Sequence, residues 1–423
     1  MKKICLTVVG IYMMMLHGYS QSIAKDAASY TPKPLKIDEV NFVSSYYTQN
    51  GDHSPVTGGI GSERVIDLSN GLDVKWVGWD KNQRKHSLTA SLGFDHHTSA
   101  SAAFVNKSGA SKTGGTRIYP SIDWTIENEK KGTGLEFGAY YSREYNYKSF
   151  GLDAGFTKKN KNNGEFGVKL TGYFDHVKQI LPSELIPVDT VITPAGTTYI
   201  TTASGKVVAL NSSGGIRAGK RPAIPTKPRT TLTSSFSFSQ VINTRLDGIV
   251  LLDLVYQQGD LGLPFHRVYW NDGTVHVENL PTERFKLPIG LRLNYFLGDK
   301  IILRSYYRFY IDSWGLQAHT ASLEVPVKIT PFFSISPFYR YYAQTAVKYF
   351  HPYEMATAKD AFYTSNYGLS KFNSNFFGVG IRLAPPKGIL GMKGFSALEL
   401  RYGHYAQNID LNSDVISLNI KFK

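Results

Sequence analysis

The sequence predicts an all-β protein, a transmembrane antiparallel up-and-down β-barrel of about 16 strands, with 14 strands as the alternative. Three observations lead to this fold class: alternating apolar and polar residues in one segment after another, connections that are alternately short and long, and a secretion signal at the N-terminus. Side chains of a strand point to opposite faces with period two, so each segment has one apolar and one polar face. Such strands behind a secretion signal are typical of outer-membrane barrels.

Two segments show the alternation most clearly. In 285–297 the apolar residues occupy the odd positions, whereas Lys286, Arg292 and Asn294 occupy even ones. In 416–423 the apolar residues Ile416, Leu418, Ile420 and Phe422 alternate with polar residues. The same pattern, applied from the C-terminus backwards, predicts sixteen strands, at 39–48, 65–78, 85–95, 116–126, 133–142, 147–157, 164–176, 230–242, 247–257, 285–296, 301–311, 316–328, 332–343, 372–384, 395–406 and 414–423.

The long connections all fall on one side of this predicted sheet. If the last strand runs inward, the long connections are 97–115, 178–229, 258–284 and 344–371, and the short turns lie at the opposite end. Short periplasmic turns and long outer loops are what outer-membrane barrels show. We therefore predict that both termini are periplasmic and that the loop 178–229, rich in Thr, Pro, Gly and Ser, lies on the cell surface.

The N-terminus predicts export. Lys2 and Lys3 precede an apolar run, 4–16, that is too short to span a bilayer, so we predict a cleaved signal peptide at 1–20. A short periplasmic N-terminal segment, 21–38, and the barrel, 39–423, follow it. The predicted location is the cell outer membrane.

Composition narrows the chemistry that is available. The single cysteine, Cys5, lies in the predicted signal, so the mature chain has neither disulfides nor thiolate metal sites. The chain carries a net charge of +14 and 27 tyrosines, with a mean hydropathy of −0.22. High aromatic content in a hydrophilic chain suits interfacial aromatic girdles around a polar lumen. In an exported protein the basic balance favours anionic membrane surfaces or anionic solutes over nucleic acid.

The inward parity of the C-terminal half predicts a charged lumen wall with nine cations and three carboxylates, which favours anionic solutes. The alternative is that the carboxylates pair with neighbouring arginines and only hold the interior together. The predicted lumen residues are Lys286, Arg292, Arg304, Arg308, Asp312, Glu324, Lys328, Arg340, Arg382, Glu399, Arg401 and Lys421.

Other chemistry finds little support in the sequence. His96 and His97 are adjacent in a strand and point to opposite faces, so they do not chelate one ion. The glycine-rich segment 58–61 lacks the Lys-Ser/Thr of a phosphate loop and is interpreted as a turn. We predict no catalytic residues, no metal and no cofactor.

Several motifs resemble one family. They are Leu263-Pro264-Phe265-His266-Arg267-Val268-Tyr269, the run 292–299, Tyr306-Tyr307-Arg308-Phe309-Tyr310, the run 95–101 and Leu400-Arg401-Tyr402-Gly403-His404-Tyr405. The chain is similar in them to a Bacteroidetes-type outer-membrane family of unknown function, domain-of-unknown-function family 3570. The resemblance implies a secreted outer-membrane β-barrel over nearly the whole mature chain, and it implies no activity.

Three functions remain open at this level. The first is a pore or solute-binding channel for a polar, possibly anionic, small molecule. The second is a filled-barrel scaffold that holds a protein partner at the surface or during assembly, and the third is an outer-membrane hydrolase. Expected partners are outer-membrane lipid and lipopolysaccharide, the barrel assembly machinery during insertion and a polar solute, but no nucleic acid.

Overall fold

The computed structural model describes residues 31–98, 114–180, 198–201, 207–210, 216–218, 224–263 and 265–423. The predicted signal peptide and most of the loop 178–229 lie outside the described residues. Within that loop, three short strands form a small antiparallel sheet: β8 (Thr198–Thr201), β9 (Val207–Leu210) and β10 (Ile216–Ala218).

The fold is a closed antiparallel β-barrel. Its strands are β1 (Lys33–Asn50), β2 (Val65–Trp79), β3 (Lys85–His97), β4 (Gly115–Asn128), β5 (Thr133–Arg143), β6 (Tyr147–Lys159), β7 (Gly164–Lys178), β11 (Thr226–Asn243), β12 (Leu246–Gly259), β15 (Glu283–Leu297), β16 (Ile301–Asp312), β17 (Gln317–Glu324) with β18 (Val327–Thr330), β19 (Phe333–Gln344), β20 (Phe372–Leu383), β21 (Phe395–Gln407) and β22 (Asn412–Phe422). A separate hairpin, β13 (Arg267–Tyr269) and β14 (Val275–Val277), lies in the connection between β12 and β15.

Pairing of the first and last strands closes the barrel. The pairing of β1 with β22 runs from Val40 opposite Phe422 to Asn50 opposite Asn412, and β1 also pairs with β2. Because β17 and β18 follow one another along the same position in the wall, between β16 and β19, the barrel has sixteen strands. The predicted fold class and strand number are confirmed.

Two of the differences between the predicted and observed strands have a clear physical reason. Strand β1 begins at Lys33 instead of Glu39, because β2 continues to Trp79 and offers ladder partners beyond the end of β22. The predicted strand 316–328 is interrupted between β17 and β18, where Pro326 has no backbone N–H to donate to the ladder.

The two ends of the barrel differ in their connections. One end, called the turn end, carries the start of β1 and the end of β22. It also carries the short connections 80–84, 129–132, 160–163, 244–245, 298–300 and 331–332, together with 384–394. The other end, called the loop end, receives the connections 51–64, 98–114, 179–225, 260–282 and 345–371. The parity argument therefore assigned every long connection to one end correctly.

The outer face is apolar and the inner face is polar. The large exposed apolar side chains Leu92, Phe150, Leu170 and Leu291 occupy the outward parity of their strands. Burial of this surface requires hydrocarbon. No helix among the described residues is long and apolar enough to cross a membrane.

Candidate functional site

The inner wall of the barrel is the candidate site. Ladder partners share a face, so the register of the strands assigns every side chain inward or outward. The structure places all of the predicted lumen residues on the inward parity: Lys286, Arg292, Arg304, Arg308, Asp312, Glu324, Lys328, Arg340, Arg382, Glu399, Arg401 and Lys421. They differ, however, in their partners and in their exposure.

Glu324 is the centre of an ion-pair network on this wall. Its carboxylate lies 3.2 Å from a nitrogen of Arg304 and 3.1 Å from a nitrogen of Arg401. Arg401 also approaches Glu399 at 3.3 Å, and Lys421 pairs with Glu39 at 2.8 Å. The pairs of Glu324 with Arg304 and Arg401, and the pair of Lys421 with Glu39, link different strands of the wall, as the structural alternative for the carboxylates predicts.

Asp312 has a structural role at the loop end. Its buried carboxylate accepts hydrogen bonds from the backbone N–H groups of Trp314 and Leu316, at 2.9 and 3.1 Å, and from the hydroxyl of Tyr310 at 2.8 Å. The guanidinium of Arg284 completes the set with an Nε–Oδ2 distance of 3.0 Å. Asp312 therefore fixes the β16–β17 hairpin and is not open to a solute.

Four arginines on the same wall have no carboxylate partner within 4.0 Å among the described residues: Arg292, Arg308, Arg340 and Arg382. The first three each lie over an aromatic ring instead. The ring centres are 5.8 Å away for Arg292 over Tyr306, 6.0 Å for Arg308 over Tyr310 and 4.8 Å for Arg340 over Phe376. We call these three arginines and their three rings the arginine–aromatic patch.

Exposure shows that the patch meets solvent. Arg292 and Arg340 are exposed although they point into the barrel, and so is Arg382, three inward rows closer to the turn end. An exposed inward side chain requires empty space beside it. The described residues therefore leave water-accessible space along this arc of the lumen.

Two glycines shape the wall beside the patch. A Cβ at Gly403 would lie 2.6 Å from the Phe376 ring, and a Cβ at Gly378 would lie 2.7 Å from the Phe338 ring. Glycine at both positions therefore lets the two rings lie against the strand backbone. Arg401 stacks over Phe338 at 5.0 Å, and a cavity of about 260 Å³ opens between these groups and Ser322.

The opposite arc of the wall is acidic, which the sequence analysis missed. Strands β2 to β7 direct more carboxylates than cations inward: Asp67, Asp73, Asp95, Asp123, Glu127, Glu136, Asp153, Glu165 and Asp175. We call this arc the acidic wall and the arc from β15 to β22 the basic wall. The same parity rule, applied to the N-terminal half, would have found the acidic wall.

Strands with few charges separate the two walls. On one side, β11 directs Thr231, Thr233, Ser235 and Ser237 inward, with Arg229 paired to Asp175, and β12 directs Asp247 and Asp253 inward. On the other side, β1 directs Asn41, Val43, Ser45, Tyr47 and Gln49 inward, with Glu39 paired to Lys421. The surplus of cations in the C-terminal half is thus a property of one wall. The described lumen carries charge of opposite sign on opposite arcs.

A group of three carboxylates on the acidic wall has the spacing of metal ligands. Oxygens of Asp123, Glu136 and Asp153 lie within 4.8 Å of one another. The ammonium of Lys169 lies among them, 2.6 Å from Glu136 and 2.9 Å from Asp153. A lysine in that position supplies the positive charge that a metal would bring, so the group is an ion-pair network.

The histidines of the strand β3 behave as the parity argument predicts. His97 points inward and pairs with Glu144 at 3.0 Å, whereas His96 points outward and bonds the hydroxyl of Thr116 at 2.9 Å. The two rings therefore cannot share an ion.

Three of the long loops pack together over the loop end, and we call this layer the cap. It comprises 51–64, 260–282 and 345–371. His53 of the first loop stacks on Tyr367 of the third, with ring centres 3.9 Å apart, and Trp270 and Asn279 of the second loop form backbone bridges to Ala356 and Tyr363 of the third. Val268, Ala356 and Thr364 have no exposed surface at all. The cap is therefore a folded layer with a core of its own.

A buried carboxylate joins two of these loops. Glu278 accepts a hydrogen bond from the backbone N–H of Leu263 at 2.9 Å and another from the hydroxyl of Thr364, and its carboxylate lies 3.5 Å from Nδ1 of His266. Burial opposes ionisation of Glu278, but the interactions with His266, Thr364 and the Leu263 N–H outweigh it, so the pKa of Glu278 lies below its ordinary value.

A family model matches most of the chain. The family is described as "Protein of unknown function (DUF3570)", and the match covers residues 82–414. This protein belongs to the DUF3570 family. The family predicted from the motifs is thereby confirmed, whereas a Bacteroidetes-type origin stays a prediction. No curated protein matches this DUF3570 chain.

Solved barrels resemble this DUF3570 protein distantly. A BenF-like porin from Pseudomonas fluorescens Pf-5 is 8% identical with a TM-score of 0.40, and the match covers 91% of this chain and 98% of the porin. OccAB3 of Acinetobacter baumannii is 10% identical with a TM-score of 0.41, over 91% and 99% of the two chains. A bacterial polysaccharide outer membrane secretin is 9% identical with a TM-score of 0.43, over 91% and 98%. Likeness at this level identifies no solute.

Proposed function

We propose that this protein is an outer-membrane barrel whose loop end faces the cell exterior, and that its lumen binds and passes a small polar solute with an anionic group. The observation that carries the proposal is the arginine–aromatic patch, in which exposed arginines without carboxylate partners line water-accessible space. The proposal includes no chemistry on the solute.

The chemistry of arginine supports an anionic group as the ligand. A guanidinium presents several N–H donors in one plane and binds a carboxylate or phosphate through two parallel hydrogen bonds. Stacking on an aromatic ring holds the guanidinium plane while its edges stay free to donate. Arg304 and Arg401 already donate to Glu324, so Arg292, Arg308, Arg340 and Arg382 are the arginines with donors available for a solute, and the first three also stack on a ring.

The acidic wall adds a second requirement for the solute. A low-dielectric wall focuses the field of charges that face a narrow lumen. Opposite signs on opposite arcs favour a solute whose anionic group meets the basic wall while a cationic or hydrogen-bond-donating group meets the acidic wall. Our proposed substrate class is therefore small polar molecules with a carboxylate or phosphate, zwitterions included.

Conductance across planar bilayers tests the proposal. The purified barrel should conduct, and Arg292→Glu with Arg340→Glu should shift the reversal potential in a KCl gradient toward cations. A matched control, Arg245→Glu with Lys393→Glu, reverses two charges at the turn end and should leave the reversal potential unchanged. Conduction with no shift in the first variant would remove the patch as the selective element.

The cap favours a second candidate function, the filled-barrel scaffold that holds a partner. Three loops with a common core cover the loop end, and Trp314, Leu316, Ala318 and Val347 form an apolar cluster beneath them. Replacing residues 348–366 by a short Gly-Ser linker separates the two functions. A channel closed by a cap should conduct more after the replacement, whereas a scaffold with a filled lumen should stay silent in both forms.

A further inference from the structure

The outward face of β5, β6 and β7 carries two cations and a histidine in one row at the loop end. Arg143, Lys148 and His176 are Cα partners in sequence across the three strands, so they form one row on one face. Ladder partners lie about 5 Å apart, so the row spans about 10 Å. Lys178 follows two residues beyond His176 on the same face.

The three side chains of this row are free to bind a ligand. All three are exposed, and no carboxylate oxygen among the described residues lies within 4.0 Å of any of them. The neighbouring outward positions in register are Ile118 and Pro228, which carry no charge. The row therefore holds unneutralised positive charge at the edge of the apolar surface.

The row differs from the loop end of β21 and β22. There the outward side chains include Tyr402, His404 and Asp414, and both Tyr402 and His404 hydrogen-bond the Asp414 carboxylate, at 2.7 and 2.9 Å. The charged group on those strands thus has partners within the protein, whereas Arg143 and Lys148 have no carboxylate partner among the described residues.

Apolar rows lie directly below the cations. The next outward row is aromatic, with Tyr141, Phe150 and Phe174 in register, and the row below contains Ala139, Leu152 and Gly172. The Phe174 ring leans over Gly172, at 3.4 Å from the position of a Cβ. The surface below the cations is therefore continuously apolar, which suits contact with acyl chains.

Only one class of molecule in the membrane combines these features at that depth. If the loop end faces the exterior, as the proposed function holds, the row lies at the headgroup level of the outer leaflet, where the lipid is a phosphorylated glycolipid with several acyl chains. We propose that Arg143, Lys148 and His176 bind a phosphate group of lipopolysaccharide, with its acyl chains against the apolar rows of β5 to β7. Charge-assisted hydrogen bonds to phosphate oxygens fix the headgroup, and the apolar rows provide the contact for the chains.

Titration of the purified full-length barrel in mild detergent tests this site, with bound lipid counted by native mass spectrometry. Wild type should bind lipopolysaccharide more tightly than dephosphorylated lipopolysaccharide or phosphatidylglycerol. Arg143→Ala with Lys148→Ala and His176→Ala should weaken the binding on the order of tenfold or more, because several charge-assisted hydrogen bonds are lost. The control Lys158→Ala with Lys161→Ala removes two cations at the turn end and should bind as wild type does.

A conservative variant guards against misfolding. Arg143→Lys with His176→Lys keeps hydrogen-bond donors and positive charge in the row and should retain binding, and heat-modifiable mobility in gels reports whether each variant has folded. Equal binding by the alanine variant and wild type, or equal binding of phosphatidylglycerol and lipopolysaccharide, would overturn the site. A channel that conducts nothing would overturn the transport proposal and leave this one standing.

Discussion

The guanidinium of Arg340 lies 4.8 Å from the centre of the Phe376 ring, on the neighbouring strand and directly in register with it. The ring is itself set against the backbone at Gly403, because no side chain intervenes there. Strand pairing, a glycine and an aromatic ring together hold one arginine toward the lumen. The contacts of Arg340, Phe376 and Gly403 can therefore be tested one at a time.

The contact between Arg340 and Phe376 should contribute to anion binding. We expect a double-mutant cycle of Arg340→Ala and Phe376→Leu, read out as block of the current by inorganic phosphate, to show a coupling of about 0.5–1 kcal/mol. A cycle of Arg340→Ala with Tyr306→Leu provides the control, since Tyr306 lies under Arg292. Equal couplings in the two cycles would show that the stack has no specific role.

The lack of a side chain at Gly403 should matter for stability. Gly403→Ala places a methyl group 2.6 Å from the Phe376 ring, and the forced repacking should lower the free energy of unfolding by about 1–3 kcal/mol. Gly71→Ala is the matched control, because Gly71 also faces inward but no atom lies within 4 Å of the position of its Cβ. Urea unfolding in detergent or lipid measures the free energy of unfolding of both variants. Equal stability of the two variants would contradict the packing argument.

Neighbouring residues in the middle of β7 should respond in opposite ways to the same charge. Leu170 points outward and is exposed, so Leu170→Arg should cost about 2–4 kcal/mol near the bilayer midplane. Thr171 points inward with Asp153 as its ladder partner, so Thr171→Arg should cost much less. The free energies of unfolding of the two variants in lipid vesicles test this difference. A large cost at both positions would mean that the inward face is also sealed from water.

The orientation of the barrel can be measured by cysteine labelling, because Cys5 is the only native cysteine. We expect Lys359→Cys, exposed in the cap, to react with an impermeant maleimide on intact cells. Lys130→Cys, exposed in a turn at the opposite end, should react only after the outer membrane is permeabilised. The reverse pattern would place the loop end in the periplasm.

The cap should loosen in acid. Because the pKa of Glu278 in the folded protein is below its ordinary value of about 4.3, the ionised carboxylate stabilises the cap above that pH. This contribution is lost as the pH falls through the lower, folded-state pKa. Hydrogen-exchange protection of the Tyr363 amide, which bonds to Asn279, should therefore fall below about pH 4. Glu278→Gln should weaken protection at neutral pH and remove most of the acid dependence, and unchanged protection in that variant would refute the role of the carboxylate.

Parity in the sequence gives the face of a residue but neither its partners nor its surroundings. Arg308 and Asp312 have the same parity on the same strand, and both point inward. Arg308 meets the lumen, whereas Asp312 is sealed by the hairpin it organises, which depends on backbone N–H groups that no pattern of side chains reveals. The face was predictable, and the exposure was not.

The cap was beyond prediction for a different reason. His266, Glu278 and Thr364 meet across two loops, and 86 residues separate the last two. No periodicity applies to irregular loops, so their sequence indicates length and composition only. The stacking of Phe376 on Gly403 was also hidden, since a glycine in a strand suggests a close approach without naming what approaches.

The seam between β1 and β22 joins the two ends of the barrel chain, so that Phe42 finds its partner Ile420 only after every other strand has been made. Contacts this distant in sequence are slow to form. Until then two strands have unpaired edges, which readily pair with other chains. Closure of the barrel is thus a late folding step, and before it the chain is open to aggregation through these two edges. The capacity of a cell to make this protein would then be set by how well the two open edges are shielded before they meet.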